Sequence, residues 1–255
     1  MNKFKELRPV ILLFFLGFLG VLSTLPLISQ MLALQPEKPP IPLEVIQVVA
    51  LVQSAVLLFL MVWLGAVFAK KAGLTAPVIY AAAESRDFYS AFKPQIMPSI
   101  IGGVFGGVLL VAIYKVSYDY LPAEFILAAE KLTPPWYTKV LYGGITEEIL
   151  MRWGLMSFFV WASYRITQPK DAAIKVHNYI VAIVLSALIF AVGHLPMAFS
   201  LAPEVTLPLV CYIIMGNACF GIIAGYLYWR RGLECAMGAH IVAHLTMILL
   251  IALLG

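Results

Sequence analysis

Apolar residues in this chain do not alternate, nor recur every three or four positions; they come in unbroken runs of about 20, enough for a helix to cross the roughly 30 Å hydrocarbon core of a bilayer. Such runs extend from about Pro9 to Leu34, Pro42 to Ala69, Ile96 to Tyr118, Tyr137 to Tyr164, Asn178 to Phe199, Leu207 to Trp229 and Cys235 to Leu254. They predict an all-α, polytopic integral membrane bundle of about seven spanning helices, folded as a single transmembrane domain over residues 1–255. Two mixed segments lie between the runs. "KKAGLTAPVIYAAAESRDFYSAFKP", from Lys70, and "DYLPAEFILAAEKLTPPW", from Asp119, are expected to be interfacial amphipathic segments. Pro134 and Pro135 end any helix before the fourth run, and the second segment, on the outer side, is a candidate cap over the polar site described below.

Composition agrees with this pattern: 62% of the residues are hydrophobic and only 12% charged, against about 25% charged in a soluble domain. The first run follows a basic tip (Lys3, Lys5, Arg8), is too long for a signal peptide and lacks a small-residue cleavage site, so it is expected to remain as an anchor. With a cytoplasmic N-terminus, the inner side collects Lys3, Lys5, Arg8, Lys70, Lys71, Arg86, Lys93, Arg165, Lys170, Lys175, Arg230 and Arg231. The outer side has only Lys38, Lys115, Lys131 and Lys139. The asymmetry predicts a multi-pass protein of the cell membrane with its N-terminus inside and its C-terminus outside. The net charge of +4 is then a topology signal, and no basic stripe with interleaved aromatics suggests nucleic acid. Trp136, Tyr137, Trp161, Tyr164, Tyr226, Tyr228 and Trp229 fall near predicted edges as interfacial anchors. Gly102 with Gly106, Gly103 with Gly107 and Gly221 with Gly225 form small-xxx-small pairs expected to pack helices. Cys211, Cys219 and Cys235 lie in apolar stretches without a C-x-x-C pair and read as packing residues.

Against this background the charges inside the runs need a reason. "GGITEEILMRWG" places Glu147, Glu148 and Arg152 in a spanning segment. One such charge costs roughly 2.5–3.5 kcal/mol at a helix centre, so the three must face the bundle interior. Glu148 and Arg152 stand four apart with the acid first, the favoured order for a helical ion pair. Glu147 is left without a partner on its own helix. Three of the four histidines also fall inside runs: His194 in "FAVGHLP", just before Pro196, and His240 and His244 in "GAHIVAHLT", one turn apart on one helix face. His177 sits at the end of a run and reads as interfacial. A buried glutamate among imidazoles suits proton removal from water, with nearby donors for an oxyanion, the parts that peptide hydrolysis needs.

Elimination narrows the chemistry. The sequence has no H-E-x-x-H, no G-x-S-x-G, and no aspartate within a predicted span, since Asp87, Asp119 and Asp171 lie in loops or at edges. A transporter or proton relay built on the same Glu and His residues is the competing reading, which inverted internal repeats would favour; none is seen. A non-catalytic membrane chaperone or immunity protein is a third.

Together these motifs resemble the CAAX-protease and bacteriocin-processing family of intramembrane endopeptidases, which includes the Rce1-type prenyl-protein proteases. Its signature of E-E-x-x-x-R, F-x-x-x-H and H-x-x-x-N is matched in order by Glu147, Glu148 and Arg152, by Phe190 with His194, and by His240 with His244. The matched core runs over about 137–254. The resemblance implies an endopeptidase acting on a membrane-associated protein or peptide. In it Glu147 and His194 activate water, the third motif binds the developing oxyanion, and Glu148 and Arg152 form a structural pair. His244 departs from the pattern, standing where members often have Asn. It still offers a hydrogen bond, and it also makes Glu147, His194, His240 and His244 a candidate set of zinc ligands. The expectation is a mechanism without a cofactor, with zinc as the alternative. Counted along the runs at about 1.5 Å per residue, His194 and His240 are expected at opposite depths, so convergence requires tilted spans or shifted edges.

Overall fold

The computed structural model describes residues 3–35 and 40–254, and these are mostly helical, with no strand among them. Lys38, counted above on the outer side, lies outside the described residues, as do the side chains of Lys3 and Lys5. The N-terminal run forms α1 (Lys3–Ser23) and α2 (Leu25–Ala33), joined at Thr24, and the second run is α3 (Leu43–Phe68). Next come α4 (Pro77–Ala83), α5 (Phe88–Ser117) and α6 (Ala123–Lys131). The last part of the chain carries α9 (Val176–Gly193), α10 (Leu195–Ser200), α11 (Leu207–Arg231) and α12 (Leu233–Leu254).

Among the described residues, six helical stretches are long and apolar enough to cross a membrane: Leu7–Ala33, Leu43–Phe68, Phe88–Tyr120, Val176–Ser200, Leu207–Arg231 and Leu233–Leu254. The expected fourth span takes a different form. It is a helical path built from α7 (Trp136–Thr138), the π-helical turns π1 (Lys139–Thr146) and π2 (Ile149–Met156), and α8 (Ser157–Thr167). Wide i→i+5 turns are uncommon in helices and concentrate at functional sites. Here they flank Glu147 and Glu148 on both sides.

The first amphipathic segment divides in two. Its start folds into α4 and the turn before it, burying Ala72, Leu74, Ala76, Val78, Ile79 and Ala81 against the core. Its end, from Phe88, is the first turns of α5, capped by the Asp87 carboxylate, which accepts from the Tyr89 and Ser90 amides. Those hydrogen bonds, led by the one from the Ser90 hydroxyl, hold the Asp87 carboxyl below the usual range. In the second segment, Leu121 just before α6 and Phe125 within it are buried against Ala198, Leu201, Ala202 and Leu209, which ties the segment to α10 and α11.

Small residues set the helix spacing around the centre. A Cβ on Gly103 would stand 2.5 Å from Val242 and one on Gly107 2.6 Å from Thr246, so α5 and α12 touch backbone to side chain. Gly221 and Gly225 do the same for α11 against Ala187 and Ile183 of α9. Thr146 donates to the Gly17 carbonyl at 2.8 Å and Thr138 to the Ser23 carbonyl at 2.6 Å, pinning the π-helical path to α1. On its other side Trp153 lies against Gly65 and donates to the Val62 carbonyl of α3 at 3.2 Å. At the tight α11–α12 connection Gly232 adopts φ +113°, a conformation that L side chains resist. The following Leu233 amide bonds to Thr75, so α12 starts beneath the α4 segment with Leu233, Glu234 and Cys235 buried.

Candidate active site

Three elements converge where the polar residues lie: the π1–π2 junction with Glu147 and Glu148, the end of α9 with His194, and α12 with His240. Glu148 and Arg152 are both fully buried, and Arg152 Nε stands 3.2 Å from Glu148 Oε2. The contact is ionic, because the two atoms are out of line for a hydrogen bond. The guanidinium also lies over the Phe190 ring, 5.5 Å from its centroid. The second Glu148 oxygen accepts from His240 Nδ1 at 2.8 Å. Arg152, Glu148 and His240 thus form a buried chain that fixes the His240 ring.

Glu147 points elsewhere. Its Oε1 is 3.9 Å from His194 Nε2 and its Oε2 is 3.9 Å from His240 Nε2. His194 Nδ1 donates to the Phe190 carbonyl at 2.8 Å, one turn earlier on α9. Since a carbonyl and a carboxylate can only accept, both histidines carry hydrogen on Nδ1 and turn Nε2 to Glu147. The ring of Phe190 packs edge-on against His194 at 4.6 Å, and Phe220 of α11 packs on His240 at 4.5 Å. The centre is not sealed: the His194 side chain is 30% exposed and that of Glu147 17%.

Depth counted from span ends had separated His194 from His240, yet both face one carboxylate. Counting at a constant rise assumes regular helices with level ends, and these elements are not regular. Half of the path Trp136–Thr167 is π-helical, over Lys139–Thr146 and Ile149–Met156, so the α-helical rise of about 1.5 Å per residue does not measure depth along it. α12 begins with the buried residues Leu233, Glu234 and Cys235, and α9 ends at Gly193, with His194 between it and α10.

His244 stacks on His240, with ring centroids 4.9 Å apart and planes 18° from parallel. It stands beside Gly143, whose absent Cβ leaves room for it: a Cβ there would meet His244 Nε2 at 2.6 Å. His244 makes no approach to either glutamate within 4.0 Å, unlike His194 and His240. Among the described residues, no group of three or more His, Cys, Asp or Glu side chains is close enough to hold a metal ion. The four candidate zinc ligands are thus neighbours without forming a ligand shell. Two features of the site had no reading in the sequence: the π turns and Phe220. Phe220 had a signal, since it directly precedes the packing glycine Gly221.

Fold and site together define an integral, multi-pass membrane protein with an acidic and imidazole centre enclosed by its helices. Residues 129–246, which hold every one of these side chains, match the family model Rce1-like, described as type II CAAX prenyl endopeptidase Rce1-like. Over that segment, a little under half of the chain, the sequence is similar to the Rce1-like family of CAAX-type proteases. No curated protein and no solved structure matches the chain.

Proposed function

We propose that this protein is an intramembrane endopeptidase in which Glu147 and His194 activate water against a peptide bond of a membrane-associated protein or peptide. The observation that supports this most is the pair of 3.9 Å gaps around Glu147. They are too long for direct hydrogen bonds, yet one oxygen fits at about 2.8 Å from both sides of either gap. A water there donates one hydrogen to Glu147 and the other to His194 Nε2. Glu147 takes the proton as the oxygen attacks the carbonyl carbon, and returns it to the leaving amine when the C–N bond breaks.

The developing oxyanion needs donors. His240 Nδ1 is committed to Glu148, so a second proton on this ring sits at Nε2 and donates to the oxyanion, while Arg152 holds Glu148 in place. His244, stacked on His240, supplies the next donor. The family's description points to a prenylated C-terminal C-a-a-X segment as the substrate class. The charge asymmetry supports an N-terminus inside and a C-terminus outside the cell membrane.

The test is cleavage, by purified protein in liposomes, of an internally quenched peptide ending in a farnesylated C-a-a-X sequence. Release of the C-terminal fragment is expected from the wild type. Its absence with this peptide and with other membrane-anchored peptides overturns the reading.

A further inference from the structure

A peptide segment drawn into a membrane interior brings backbone N–H and C=O groups that have left water, each costly unless it finds a partner. Glu147, His194 and His240 are occupied with the reacting bond in the mechanism above. The flanking peptide groups therefore need partners elsewhere on the site wall, and two helix registers lead to one.

The first register is between α9 and α11. Gly225 lies against Ile183 and Gly221 against Ala187, so four residues along one helix match four in reverse along the other. The next rung sets Asn217 opposite Ala191, beside Phe190 and one turn from His194. The second register is between α11 and the π-helical path. α12 runs antiparallel to that path, with Ile241 against Gly144 and His244 against Gly143. α11, its hairpin partner across Gly232, therefore runs parallel to the path. Gly221 lies next to Arg152 Nη2, so α11 passes the path beside the Glu148–Arg152 pair, with Asn217 one α-helical turn before that contact. Phe220, three residues on, is the ring packed on His240.

Asn217 is half-buried, and its Nδ2 donates to the Ile213 carbonyl at 2.8 Å, which fixes the plane of the amide. Among the described residues its Oδ1 and second N–H have no protein partner. A carboxamide so held offers one acceptor and one donor, the complement of a peptide group.

We propose that Asn217 is a substrate-binding residue of this site, pairing with the peptide backbone next to the scissile bond; the proposal rests on the hydrolase reading above. Asn217→Ala leaves no orphan, because the Ile213 carbonyl keeps its helical N–H partner. The binding test uses protein that carries Glu147→Gln, to hold the same farnesylated peptide uncleaved. Adding Asn217→Ala is expected to weaken peptide binding on the order of tenfold, and Asn217→Gln to recover part of it. With Glu147 intact, Asn217→Ala is expected to raise KM on that scale and leave kcat within about twofold, the signature of uniform binding. Equal peptide binding with and without Asn217→Ala, or no binding by either protein, overturns the proposal. So does a fall in kcat and thermal stability at unchanged KM, which marks a structural role. If wild-type protein fails to cleave while Asn217→Ala still weakens binding, the hydrolase reading fails and Asn217 keeps its role.

Discussion

Arg152→Met isolates what the buried ion pair contributes. Methionine keeps most of the volume and removes the charge, and the three guanidinium nitrogens make no hydrogen bond among the described residues that the change would break. What remains is Glu148, fully buried, with Oε2 facing no cation. Removing one partner of a buried pair destabilises by roughly 3–5 kcal/mol. For a chain of this size each kcal/mol shifts Tm by about 2–4 °C, so a fall of about 6–20 °C is expected. Unfolding is read by thiol labelling, because Cys235 is buried and becomes reactive only when α12 loosens, above a baseline from exposed Cys211. Glu148→Gln together with Arg152→Met removes both charges, keeps an acceptor for His240, and is expected to regain most of the loss. If the double variant is as unstable as Arg152→Met alone, the loss comes from packing and not from a stranded charge. If Arg152→Met melts like the wild type but does not cleave, Arg152 belongs to the chemistry.

Gly143→Ala places a Cβ 2.6 Å from His244 Nε2 and must displace that ring. Cleavage is expected to fall on the order of tenfold with normal yield, and the same change added to His244→Ala should cost nothing more. His244→Asn, which keeps an amide donor, is expected to retain much of its activity. Purified enzyme is expected to lack stoichiometric zinc and to ignore a strong chelator; zinc lost along with activity in His244→Asn would contradict this. Asn178 accepts from Ser163 at 2.6 Å and Thr167 at 2.9 Å and donates to Gln168, joining α8 to α9. Asn178→Ala is expected to cost about 1–3 kcal/mol and to speed proteolytic nicking between residues 168 and 175, with unchanged nicking counting against that role.

Much of the bundle was legible because hydrocarbon imposes one requirement, a long apolar helix, and the runs meet it openly. The extra length of α5 before Ile96 was not, since "FYSAFKPQ" mixes polar and apolar residues and becomes helical through the Asp87 cap. The Glu148–Arg152 pair followed from four-residue spacing and is present at 3.2 Å. The pairing of His240 with Glu148 did not follow, because it joins residues 92 apart through tertiary packing. Nor did the π turns, since no spacing rule on a regular helix anticipates i→i+5 bonding. Those turns and the buried start of α12 were the missing pieces in counting depth from span ends, which assumed regular helices with level ends.

The central claim is that Glu147 takes the proton from the attacking water. Its most direct measurement is the single-turnover cleavage rate of the farnesylated peptide by wild type and by Glu147→Gln, at matched thermal stability and matched peptide binding. The amide keeps the carboxylate's shape and cannot accept the proton, so a loss of about 10²–10⁴-fold is expected. A Glu147→Gln rate within a few-fold of wild type would remove Glu147 from the role of base.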